Sequence, residues 1–159
     1  MVHKLEQDKV YRHFIERTRL GGLHKFFLYG GVSLLWLTGL IWLLFHYFGV
    51  HQNDVGGTNS PIEPLMMKIH GAAAMGILLV IGALVSAHIR RGWALKRNRL
   101  SGVIITSTFG LLTVSGWALY YVGDERARNV VSIAHWVVGL ALPLIVVFHI
   151  LMWKWEQSR

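Results

Sequence analysis

Four long apolar stretches, at about 24–48, 66–89, 102–122 and 130–153, constrain this chain more than any other feature. Each meets the roughly 20 residues that a helix needs to cross a ~30 Å hydrocarbon core. Four such helices use most of the 159 residues and leave only short connections. The reading is an all-α, integral membrane four-helix bundle, one domain covering 1–159, with no room for a soluble catalytic domain. Hydrophobic residues make up 53% of the chain, more than a water-soluble core of this size can hide, so the excess faces lipid.

The net charge of +8 reads as topology and not as a nucleic-acid surface, because of where the basic residues lie. Lys4, Lys9, Arg12, Arg17, Arg19 and Lys25 precede or open the first span; Arg90, Arg91, Lys96, Arg97 and Arg99 lie between the second and third; Lys154 and Arg159 follow the fourth. Only Lys68, Arg126 and Arg128 lie beside the other two connections. The positive-inside rule therefore predicts both termini on the cytoplasmic side, where the basic face also attracts anionic lipid. The charged segment 1–23 lacks the long apolar run of a cleavable signal peptide, so the first span itself is expected to direct insertion. Within that segment Val10, Phe14 and Ile15 are spaced for a short helix on the membrane surface.

Small residues interrupt the spans: Gly30, Gly31, Ser33, Thr38 and Gly39 in the first, and Gly110, Thr113, Ser115 and Gly116 in the third. They let helices, or a flat ligand, approach a backbone closely. "LTG" at 37–39 resembles "VSG" at 114–116, which points to similar packing roles. The segment 49–64 is a turn-rich loop. Pro143 lies inside the fourth span and is expected to bend it. Tyr120, Tyr121 and Trp136 at one membrane surface, with Trp93, Trp153 and Trp155 at the other, fit interfacial aromatic belts.

Histidine carries the chemistry. The chain has nine, of which His24, His46, His51, His70, His88, His135 and His149 lie within or just beyond a span, and polar groups at membrane depth call for a reason. His135 and His149 on the fourth helix are fourteen residues apart, so they share a face and are separated by about 21 Å. His70 and His88 on the second are eighteen residues apart, again on one face, about 27 Å from each other. The second and fourth helices run in the same direction, so His70 lies level with His135 and His88 approaches the level of His149. Imidazoles from two facing helices, with small residues between, form the arrangement that holds a haem by two axial nitrogens. Two levels predict two haems. The difference of about 6 Å between the two helices must be absorbed by tilt, by the bend at Pro143 or by a different ligand. His24, opening the first span, is the rival of His88 for the inner position.

Other readings are narrower. Cysteine is absent, which removes disulfides, Cys-ligated zinc and iron–sulfur clusters, and c-type haem attachment. No acid lies inside a span to complete a zinc site or carry a proton relay. His46 and His51 read as hydrogen-bonding surface residues. Gly71, Gly76, Gly82 and Gly139 lie on the His-bearing helices, where a macrocycle needs backbone without bulky side chains. Arg126 and Arg128 at one surface, and Arg90 and Arg91 at the other, are available for haem propionates. Ser86 and Ser132 are near enough in sequence to accept the second N–H of a ligand imidazole.

These residues resemble the small b-type cytochromes that serve as membrane subunits of bacterial formate dehydrogenase and nickel–iron hydrogenase. The resemblance covers all four spans. It is carried by "HWVVGLALPLIVVFHILMWKW" at 135–155, "KIHGAAAMG" at 68–76 and "LHKFFLYGGVSLLWLTG" at 23–39; the third helix matches only in general character. In that family the inner haem often takes its second ligand from helix one, here His24. The segment "SAHIRRGWALKRNRLSG" at 86–102 instead resembles a subgroup of small predicted cytochromes b with "HGxxA", "HxxRGW" and "HW" segments, which favours His88. The resemblance implies two bis-His haems b, with His70 and His135 as iron ligands at the outer site and His88 and His149 at the inner one. It implies a multi-pass protein of the bacterial inner (cytoplasmic) membrane that relays electrons between the quinone pool and a partner subunit or periplasmic cytochrome. Such a chain is an electron-transfer subunit of an oxidoreductase complex more than an enzyme by itself. The alternative is a non-redox membrane anchor or assembly subunit whose histidines hydrogen-bond between helices.

Overall fold

The computed structural model describes residues 21–49, 61–94 and 98–158. The surface helix expected around Val10, Phe14 and Ile15, and His51, lie outside the described residues. Helix α1 spans Gly22–Phe48, α2 Ile62–Leu84, the short α3 Arg90–Ala94, α4 Arg99–Tyr121 and α5 Glu125–Gln157. Between α2 and α3 the chain makes a π turn at Val85–Ile89. Among the described residues there is no strand. Helices α1, α2, α4 and α5 are each long and apolar enough to cross a membrane, which makes this a multi-pass membrane protein.

The helices start earlier than their apolar runs. Helix α2 opens at Ile62, within the expected loop, because Pro61 is its N-cap and Pro64 falls in the first turn, where no backbone N–H is required. Helix α5 opens at Glu125 on the Asp124 side chain, which accepts from Ala127 N at 2.8 Å and draws the polar segment 125–129 into the helix. Asn98 takes a left-handed conformation (φ 50°) before α4, and its N–H donates to Glu156 at 3.1 Å, fastening that turn to the end of α5.

The bundle is two antiparallel hairpins, α1 with α2 and α4 with α5, which meet mainly where α1 reaches α5. One end, the termini end, holds the start of α1 and the end of α5; at the other, the hairpin end, α1 and α4 end and α2 and α5 begin. Helix α5 runs unbroken through Pro143. In the turn loosened by that proline, Leu140 O accepts the indole N–H of Trp36 from α1 at 3.4 Å, a contact that joins the two hairpins.

Burial is distributed in an unusual way. Ile77, Leu84 and Leu142 are the buried apolar residues among those described, whereas Phe26, Met75, Leu79, Leu144, Val130 and many others are exposed. Exposed apolar surface on every long helix is the pattern that lipid, and not water, covers. Among the described residues the buried polar ones are Thr38, Ser101, Thr108 and Ser115, so hydroxyls as well as hydrocarbon are buried between the helices.

Candidate functional site: two levels of paired imidazoles

The interior is organised in stripes of seven. His135, Leu142 and His149 lie on one face of α5; Ser101, Thr108 and Ser115 on one face of α4; His70, Ile77 and Leu84 on one face of α2. Because α4 and α5 are antiparallel, equal spacing brings Ser115 to His135 and Ser101 to His149. Because α2 and α5 are parallel, it also brings their histidines together. The His70 and His135 ring centroids are 6.3 Å apart with the planes at 73°. The His88 and His149 centroids are 6.5 Å apart with the planes at 81°.

The imidazole that faces His149 is thus His88, from the π turn, while His24 lies exposed in the first turn of α1. The π turn takes up part of the mismatch in axial spacing. Its i→i+5 pattern fits more residues into a turn and advances less per residue than the regular helix assumed over 70–88.

The spacing of the rings is informative. A metal–imidazole bond is about 2 Å and a ring nitrogen lies about 1.1 Å from the ring centroid, so two rings in line on opposite sides of one metal ion hold their centroids about 6.2 to 6.4 Å apart. A direct N–H···N bond of about 3 Å would bring them to about 5.2 Å. The observed separations, 6.3 and 6.5 Å, lie nearer the first value than the second. Among the described residues no group of three or more His, Asp or Glu is placed to hold a metal ion, so the side chains alone do not build a zinc site.

Each of three rings is held from its other nitrogen. Thr38 Oγ1 lies 3.0 Å from His70 Nδ1, Ser115 Oγ 2.9 Å from His135 Nδ1, and Ser101 Oγ 3.0 Å from His149 Nδ1. The hydroxyls come from α1 and α4, the helices that carry no paired histidine. The expected partners Ser86 and Ser132 are not these: Ser132 is not the partner of any of the three rings, and the Ser86 side chain lies outside the described set. The resemblance of "LTG" to "VSG" has a concrete meaning here. A Cβ at Gly39 would sit 3.4 Å from His70 Cε1, and one at Gly116 3.3 Å from His135 Cε1, so each Thr/Ser–Gly pair offers a hydroxyl and then room for the ring edge. The glycines that meet the rings are therefore on the first and third spans, and Gly71, Gly76 and Gly82 have open space about them.

Other candidates have separate places. His46 pairs with Glu63 across α1 and α2 at 3.2 Å and stacks on Trp42 with centroids 4.6 Å apart. Arg90, Arg126 and Arg128 are exposed, and the Arg91 side chain lies outside the described set. Arg128 occupies the same seven-residue stripe as His135, about two turns toward the hairpin end. Trp136, read from sequence as part of an interfacial belt, has its indole nitrogen buried with no partner among the described residues. A buried N–H of this kind costs about 1–3 kcal/mol unless something accepts from it.

Compared with protein-family models, characterised proteins and solved structures, the chain matches none.

Proposed function

We propose that this chain is a di-haem cytochrome b that passes electrons across a membrane. His70 and His135 would hold one haem b through their imidazoles, and His88 and His149 a second. When bound, the haem would supply reversible one-electron transfer. The observation that carries this reading is the repetition of one geometry at two levels, with imidazole centroids 6.3 and 6.5 Å apart.

The chain's own contribution is to hold and to insulate. Parallel α2 and α5 set the two levels about 21 Å apart along α5. Thr38, Ser115 and Ser101 fix ring orientation through Nδ1. Gly39 and Gly116 let the outer rings lie against the neighbouring helices. Trp136, next to His135, offers a buried N–H, and Arg128, seven residues toward the hairpin end, a cation, to an acidic substituent of a bound haem. With both termini cytoplasmic, as the Lys and Arg distribution implies, the His70–His135 level is the outer one and the His88–His149 level the inner one. The protein is then a multi-pass component of a bacterial inner membrane, working between the quinone pool and a partner redox protein as the cytochromes it resembles do.

A non-redox anchor accounts for the three Nδ1 hydrogen bonds. It leaves unexplained why two ring pairs stand at one spacing. A reduced-minus-oxidised visible spectrum of the purified protein separates the two: sharp b-type bands are expected, and a colourless, helical preparation would reject the cytochrome.

A further inference from the structure

We infer that Thr38, Ser115 and Ser101 are tautomer clamps: each obliges its histidine to carry the ring proton on Nδ1 and so keeps the Nε2 lone pair for the metal. The inference rests on the haem reading for its purpose but on the hydroxyl geometry for its content. A hydroxyl has a single proton. Thr38 Oγ1 lies 2.7 Å from Leu34 O and 3.1 Å from Leu35 O; Ser115 Oγ lies 2.7 Å from Leu111 O and 3.2 Å from Leu112 O. Two oxygens 2.7 Å apart repel unless a proton lies between them. The hydroxyl proton is thereby committed to the carbonyl one turn back, the back-bonded rotamer common for Ser and Thr in apolar helices. What each hydroxyl offers the ring is an oxygen lone pair. Nδ1, at 3.0 and 2.9 Å, must be the donor. Ser101 repeats the arrangement with Asn98 O at 3.2 Å and His149 Nδ1 at 3.0 Å.

Which nitrogen of a neutral imidazole is free is set by the bond the other makes. A free histidine side chain in water favours the proton on Nε2, the tautomer that cannot ligate through that atom. The clamps reverse this preference before any metal arrives. They also make the ring a stronger donor, because an N–H that is itself hydrogen-bonded shifts electron density toward the ligating nitrogen. These three are positioning residues, acting only through the imidazoles. Both rings of the hairpin-end pair are clamped in this way. At the other level the clamp is on His149, and His88 is set by the π turn.

The test uses histidine-15N-labelled whole protein in detergent before haem is added, because iron on Nε2 would itself force the ring proton onto Nδ1. The expected spectrum shows His70, His135 and His149 protonated on Nδ1. Thr38→Val, Ser115→Ala and Ser101→Ala should each lower haem affinity about 10–100-fold at one level only and move that haem's midpoint to higher potential. Thr38→Ser and Ser115→Thr should restore wild-type values. Thr108→Val is the control, because Thr108 is buried on the same stripe and back-bonds Ile104 O at 2.8 Å between the two levels. Nε2-protonated rings in the wild type, or an equal effect from Thr108→Val, would overturn the clamp. A colourless protein whose rings carry the proton on Nδ1 would defeat the haem reading and leave the clamp standing.

Discussion

The two imidazole pairs reach the same separation by different means. At the hairpin end, His70 and His135 both project from regular α-helix, and each is tied to a hydroxyl and faced by a glycine on a neighbouring helix. At the termini end, His149 is tied to Ser101 beside a left-handed turn, and His88 is delivered by a π turn. The first pair is specified by packing between helices. The second depends on a local departure from helical geometry. Sites of the first kind tolerate loop changes and fail when packing changes; the second kind fails when helix register changes.

The largest expected effect comes from the ligands. His70→Ala or His135→Ala should remove one haem of two and leave the other, and His149→Ala should do the converse, read as halved haem content with a single remaining midpoint in a redox titration. Insertion of one alanine between Gly82 and Ala83, in the regular helix before the π turn, comes next, because it turns His88 by about 100°. It should abolish the inner haem as fully as His88→Ala does, with outer bands unchanged. His24→Ala should leave haem content at two; loss of the inner haem would make His24 the ligand and undo the pairing with His88.

Smaller effects sharpen the comparison. At Gly116 a methyl group would stand 3.3 Å from His135 Cε1, tighter than ordinary contact, so Gly116→Ala should alter the low-spin electron paramagnetic resonance signal of the outer haem without releasing it. Gly102→Ala, with open space about it, should alter neither. The smallest effect belongs to the half-exposed His46–Glu63 pair. Glu63→Gln should lower thermal stability by no more than about 1 kcal/mol and leave both haem spectra in place.

Much of this was legible in the sequence because it depends on periodicity. Apolar runs set the four long helices, and parallel second and fourth helices bring His70 to His135 and His88 to His149. What escaped depends on contacts between helices. Ser86 and Ser132 were candidates because they are close to histidines along the chain, whereas Thr38, Ser115 and Ser101 lie on other helices, 32, 20 and 48 residues away. A usable signal was present: Ser101 and Ser115 repeat the fourteen-residue spacing of His135 and His149 on the antiparallel neighbour. The π turn left no such trace, since no Gly or Pro marks 85–89 and a count at 100° per residue assumes regular helix throughout. The early start of α5 comes from the Asp124 cap, and that of α2 from Pro61 and Pro64, which are preset for a helix's first turn, where no N–H is required.

The central claim is that each level of paired imidazoles holds one haem. Haem content per chain, measured on the purified, folded protein, tests it most directly. The account predicts two non-covalent b haems per chain, both low-spin and both with nitrogen axial ligands. A folded, helical protein saturating at none, or at one haem that survives substitution of His70, would contradict it.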